Sequence, residues 1–299
     1  IVAVYLKSDL EIPPNSSKFI SLYLLFAIGF KGGQELSHES FTMEIGWSVV
    51  FGVGLSLLIP FYTFFILRRR LNVFDAGAIA AAYGSVSAVT FVTAVSYLES
   101  QQLSLHGHMV AIMALMESPA IIIGLLLISI FNRQHNEKIK IQSALQHSFT
   151  NGSVVLILGS LMIGYLANAK QAEGIKPFAN DLFKGFLAIF LLDMGITSGK
   201  KLKAFFSFGW FPISFAIIIP LINGCAIALL SSLVTHDISN RFMFAVLAAS
   251  ASYIAVPAAM KISVPQSNPG LFLPMSLAVT FPINITVGMP IYYLILLHA

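Results

Sequence analysis

Charge is what this chain has least of. Asp, Glu, Lys and Arg together make up 10% of its 299 residues, against about 25% in a typical soluble domain. With 57% hydrophobic residues there is too little polar surface to keep such a chain in water, so the solvent for most side chains is lipid. Cysteine is almost missing as well: Cys225, inside an apolar run, stands alone and excludes an intrachain disulfide. The net charge of +4 is small and spread over loops, which excludes a nucleic-acid face. Catalytic signatures are absent too. There is no Walker A loop, no GxSxG elbow and no HExxH, and the Ser-rich stretches have no paired His or Lys base. The expectation is therefore a non-enzyme without a cofactor. The seven histidines show no ligand spacing, and His106 with His108 is a weak metal signal. No signal peptide is visible. The opening IVAVYL lacks Met and reads as mid-helix, so residues before Ile1 are expected.

What is present is a series of apolar segments. Residues 1–6 read as the tail of a first span. Further spans are expected at 18–30 (ending at Gly29 and the KGG of 31–33), 46–67, 75–97 and 109–131, the last interrupted by Glu117-Ser118-Pro119. A polar connector at 132–148 precedes spans at 149–168, 183–197, 205–234, 241–260 and 272–297, the last interrupted by Pro274, Pro282 and Pro290. The predicted fold is an all-α polytopic membrane protein of ten transmembrane helices. Several spans fall short of about 20 apolar residues, as broken helices would.

The chain also repeats itself. Residues 78–90 (AIAAAYGSVSAVT) and 245–257 (AVLAASASYIAVP) align at an offset of 167, placing Ala82 on Ala249, Ser85 on Ser252 and Ala88 on Ala255. Gly29 and Gly33 align with Gly195 and Gly199, and Pro119 with Pro282, at similar offsets. The predicted halves are 1–131 and 149–299, five spans each. An odd number of spans inverts one half relative to the other. Twelve of the 17 Lys and Arg fall in loops on one side if the first span starts outside. The positive-inside rule then puts both termini outside and the central connector in the cytoplasm.

Matched weak helices in the two halves point to a transporter's binding site. Half-helix N-termini at Gly84, Ser85, Val86, Ser87 and at Ala251, Ser252, Tyr253 would offer N–H groups and a positive dipole end to a small anion. A coupling cation needs oxygens. Ser87, Thr90, Glu117, Ser250 and Asn284 are the candidates, with Glu117 and Ser252 the first choices for Na⁺. Intramembrane carboxylates are costly and are functional candidates by default. Asp193, deep in the span at 183–197, has no counterpart in the first half, where Ala27 stands. Asp75 reads as a helix cap or dipole partner, and Tyr83 as packing.

These motifs resemble the sodium-dependent bicarbonate transporters of the cyanobacterial SbtA type. The carrying stretches are IGFKGG (28–33), AAYGSVSAVTFVTAVSYLES (81–100) with MESPA (116–120), and AASASYIAVPAAMKISVPQSNPG (248–270), so the likeness covers nearly the whole chain. It implies two inverted five-helix repeats, a homotrimer, and elevator motion of a core domain against a gate domain. It also implies Na⁺ and bicarbonate held between the two broken helices, and uptake across the inner membrane of a bacterium. A PII-like regulatory protein is a partner by resemblance alone. This chain has Ala251-Ser252-Tyr253 where the resembled family reads Ser-Ser-Asp, and Ala88-Val89-Thr90 for its Gly-Ser-Thr. The alternatives that stay open are a symporter of the same fold for another small anion, such as a carboxylate, and a transporter-like sensor or channel.

Overall fold

A computed structural model describes residues 4, 6, 8–132 and 150–298. The expected first-span tail at 1–6 and the connector at 132–148 fall almost wholly outside those residues. Among the described residues every regular element is helical: α1 (Pro14–His38), α2 (Met43–Leu67), α3 (Val73–Gly84), α4 (Ala88–Ser100), α5 (Gly107–Phe131), α6 (Gly152–Leu166), α7 (Ala169–Lys176), α8 (Phe183–Phe205), α9 (Trp210–Leu230), α10 (Ile238–Ala249), α11 (Ala255–Ser263) and α12 (Pro269–His298). Among the described residues, six helical stretches are long and apolar enough to cross a membrane, with Val73–Ser100 and Ala169–Leu202 each counted once, and α6 and α10 are shorter apolar helices. α1 is as long as α2 but carries Lys18, Lys31 and Glu35. The sequence reading of ten spans depends for its remainder on these shorter or more polar helices.

Glycine sets the closest helix pair. α1 packs chiefly on α6. A Cβ on Gly33 would strike Leu161 O and come within 2.7 Å of Tyr165 N, and one on Gly164 would come within 2.9 Å of Phe30 C. Small residues let the two backbones approach this far. This corrects the expected end of the second span at Gly29. α1 continues through Lys31, Gly32 and Gly33 to His38, because these glycines sit in a helix contact instead of a turn. Proline is the second correction. α5 runs unbroken through Pro119; α12 stays helical through Pro274, Pro282 and Pro290, but its α-turns are interrupted by π-turns, so the expected interruption is a change of helix type and not an opening. A proline removes one helical hydrogen bond, whereas opening the helix in lipid would strand many more backbone groups. In α12 the wider π-turns at Met275–Thr280 and Asn284–Gly288 accompany the prolines.

The breaks lie where the small-residue stretches predict them. α3 gives way to α4 at 85–87, and α10 to α11 at 250–254. The broken helix Val73–Ser100 is the centre of the bundle: 94% of its most apolar window is buried, against 39% for α2. α2 and α3 pack on α5, and α10 packs on α9. Trp47, Leu58, Phe61, Trp210 and Ile218 remain exposed on the outer helices, as a lipid-facing belt requires. Asn72 caps α3 by accepting the Asp75 N–H at 2.8 Å. Asp75 sits in the first turn, accepts from Asn72 Nδ2 at 2.6 Å, and holds the Asn268 N–H at 2.7 Å. It therefore ties α3 to the start of α12.

α5 serves as a ruler for the two ends of the bundle. Its 25 residues span about 37 Å at 1.5 Å per residue. Glu39 meets its first turn through His108, and Arg68 lies 4.2 Å over the Phe131 ring at its last residue.

Candidate functional site between two helix breaks

Two helices that stop inside a bundle leave backbone groups that need partners. The stopped ends are satisfied in detail. Leu247 O accepts the Ser250 hydroxyl at 2.9 Å, Ala248 O accepts Asn223 Nδ2 at 3.3 Å, and Ala249 O accepts Asn284 Nδ2 at 2.6 Å. Across the contact, Ala82 O accepts the Ser252 N–H at 2.8 Å, and the Ser87 N–H donates to Ser250 Oγ at 3.2 Å. The two breaks are thus bonded to each other. Gly84 lets the first break pack closely on α2: a Cβ there would run into the Pro60 ring and come within 3.1 Å of its nitrogen.

The restarting ends face a common space. α4 begins at Ala88 with Ser87 as its cap, Ser87 Oγ accepting the Thr90 N–H at 3.1 Å. α11 begins at Ala255, and Ser252 Oγ accepts the Val256 N–H at 3.4 Å. A cavity of about 20 Å³ lies against both starts, lined by Val86, Ser87, Ala88, Glu117, Ser153, Ser252, Tyr253, Ile254 and Ala255. It has room for about one water, since one needs roughly 10–15 Å³. No Lys or Arg lines it. The positive ends at its wall are the two helix N-termini, and its one ionisable carboxyl is Glu117, 7% exposed, whose Oε1 has no hydrogen-bond partner.

A second, larger space adjoins it. About 450 Å³ opens beside Ser17, Lys18, Asp193 and Lys200 and reaches Ser153, Tyr253 and Ile254. Tyr253 and Ile254 therefore stand between vestibule and cavity. Asp193 is buried on the vestibule wall and accepts the Ser17 hydroxyl.

Of the residues singled out in the sequence, Val86, Ser87, Glu117, Ser252 and Tyr253 come together at the cavity. Gly84, Ser85, Thr90, Ser250, Ala251 and Asn284 are buried behind that lining. Asn284 holds the end of α10 and accepts the Tyr292 hydroxyl at 3.0 Å. Ser85 is 1% exposed, and its Oγ has no partner. Tyr83 bonds Thr280 at 2.7 Å and packs on Phe215. Sequence reasoning missed Ser153, which lines both spaces. Its only signal was the Asn151-Gly152-Ser153 helix start, where Asn151 Oδ1 accepts the Ser153 N–H at 2.9 Å.

Among known proteins, the family model described as the Na⁺-dependent bicarbonate transporter superfamily matches residues 1–297. No curated protein matches the chain.

Proposed function

The chain belongs to the Na⁺-dependent bicarbonate transporter superfamily, and from that premise we propose that it takes up bicarbonate together with Na⁺ across a bacterial inner membrane as a secondary transporter. The observation that carries this reading is the convergence of the α4 and α11 N-termini on one cavity beside Glu117. Two positive dipole ends and the hydroxyls of Ser87 and Ser252 suit a small planar anion. Glu117 opposes an anion unless a cation sits between them. Na⁺, taking the Glu117 carboxylate and neighbouring hydroxyl oxygens, removes that repulsion. Coupling then follows, because each ion offsets the charge that would repel the other.

The 20 Å³ cavity is too small for bicarbonate, so loading needs Tyr253 and Ile254 to yield toward the vestibule. That vestibule holds Lys18 and Lys200, on the side that the Lys and Arg bias assigns to the cytoplasm. The arrangement supports a state closed to the outside. On the far side the Glu99 carboxylate, at the end of α4, pairs with Lys31 of α1 and lies 3.8 Å from Lys184 of α8. In an elevator scheme the glycine-packed α1–α6 pair with α8 is the gate, and the broken helices with α2, α5, α9 and α12 are the core. The Glu99 ion pairs then cross between the two bodies and would part as the core moves. A homotrimer of such gates, and a PII-like regulator, remain expectations of the family resemblance.

A second reading keeps the fold and changes the cargo to another small anion, such as a carboxylate. Tyr253 at the cavity wall, where the resembled family has an acid, favours it. Uptake of labelled bicarbonate into cells, competed by formate, acetate and nitrate, separates the two. Competition by bicarbonate alone supports the first reading. Stronger competition by formate or acetate transfers the site to carboxylates.

A further inference from the structure

At the end of the bundle marked by the start of α5, away from the vestibule, three segments bring ionisable groups together. Glu39 follows α1, His106 and His108 flank the start of α5, and Asp237 caps α10. Glu39 Oε2 lies 2.8 Å from His108 Nδ1, and Glu39 Oε1 lies 3.6 Å from His106 Nδ1. Glu39, His106 and His108 each offer a ligand atom, all within 4.8 Å of one another. Glu39 Oε1 also accepts the Gly107 N–H at 2.6 Å, which fixes the carboxylate between the two rings.

A simple ion pair accounts for only part of this. One imidazole would be enough to pair Glu39, yet both rings turn a nitrogen toward it. His106 is further bound on its other side, with Nε2 3.4 Å from Asp237 Oδ1. A carboxylate on the far ring nitrogen is how metal-ligating histidines are held in orientation. Among the described ion pairs, Glu39 and Asp237 meet histidines and no Lys or Arg. A metal ion displaces any proton from the ring nitrogens that ligate it, and the two carboxylates then supply the charge that a divalent ion balances. Two imidazoles and one carboxylate form a Zn²⁺ donor set that leaves a fourth position for water. The His106 side chain is 36% exposed, so an ion can reach it from solution.

We propose that Glu39, His106 and His108 form a binding site for a divalent transition metal, best suited to Zn²⁺, with Asp237 orienting His106 from behind. The site joins the end of α1 to the start of α5, so an occupied site clips these two helices together. It is independent of the transport reading above.

The test uses the purified full chain with its affinity tag removed. Zn²⁺ is titrated against a chromophoric chelator, and Co²⁺ is used for its visible spectrum. One Zn²⁺ per chain is expected, with a tetrahedral Co²⁺ band. His106→Ala should remove both signals, and Asp237→Asn should weaken Zn²⁺ by about 10–100-fold, as loss of an orienting partner does. Glu44→Gln, in the first turn of α2, should change neither. His108 is buried, so its variant is read only if it purifies as a folded protein, and the exposed His106 decides the outcome. Absence of stoichiometric Zn²⁺ binding, or binding unchanged in His106→Ala, overturns the proposal.

Discussion

Replacing Glu117 by Gln keeps the shape of the side chain and removes its charge. Glu117 is 7% exposed, lines the cavity and has one oxygen without a partner. Buried charges are normally paired or bound to cations. In the coupling scheme its partner is Na⁺. Two unit charges about 4 Å apart attract by about 4 kcal/mol at an effective dielectric near 20. Rehydrating the departing ion cancels part of this, so a loss of about 1.4 kcal/mol or more is expected, which is a tenfold or greater rise in half-saturating Na⁺. The assay is initial uptake of labelled bicarbonate across a Na⁺ series. Thermal unfolding serves as the control: removing an unpaired buried charge should leave the midpoint unchanged or raise it. Wild-type Na⁺ dependence and rate in the Glu117→Gln variant would refute the assignment of Glu117 to the cation.

Three further outcomes are expected. With Ser87→Cys as a reporter in a Cys225→Ser background, Tyr253→Ala should open the cavity to the vestibule and speed thiol labelling several-fold; equal rates would remove Tyr253 as a barrier. Asn284→Ala should leave the Ala249 carbonyl without its side-chain donor and the Tyr292 hydroxyl with only its 3.4 Å bond to Pro220 O, lowering stability by about 1–3 kcal/mol in detergent unfolding, whereas an unchanged midpoint would return Asn284 to the cation candidates. The third concerns pH. Asp237 and then Glu39 raise His106 from an ordinary 6.5 to about 10. Burial alone would lift the Glu39 carboxyl, but its bonds to His106, His108 and Gly107 hold it well below its ordinary value of 4.5. A raised histidine stabilises fully below its unfolded value and loses that contribution as pH rises through its folded value. In chelator, the stability gap between wild type and His106→Ala should therefore be widest at about pH 5 to 6.5, where Glu39 is ionised in both states, and close toward about pH 10. A gap that widens with rising pH would contradict the ion-pair geometry.

The sequence made the membrane class legible because lipid imposes composition, and composition needs no register. It also located both helix breaks, since runs of Ala, Gly and Ser inside an apolar segment leave few other uses. Proline and glycine misled it. Gly33 and Pro119 carry ordinary stop signals, but α6 needs the first as a contact and the apolar surroundings hold the helix straight through the second. Side-chain roles were the least legible. Asn284 and Ser252 share a polar character in sequence, yet one caps α10 and the other lines the cavity. The Glu39–His106–His108 cluster was nearly invisible, because Glu39 lies 67 residues from His106 and only the fold brings it there. Ser153 escaped for the same reason: it lies 36 residues from Glu117 and 99 from Ser252, and only the fold brings it to the cavity.

In the proposed transport cycle Na⁺ and a bicarbonate ion share the cavity between the two breaks. The most direct test is labelled bicarbonate uptake by purified protein in liposomes, with Na⁺ outside and then with choline in its place. Uptake should occur in Na⁺, collapse in choline, and fall sharply in Ser252→Ala even with Na⁺ present. Uptake equal in Na⁺ and choline would contradict the shared cavity, and no uptake in either would contradict the transport reading itself.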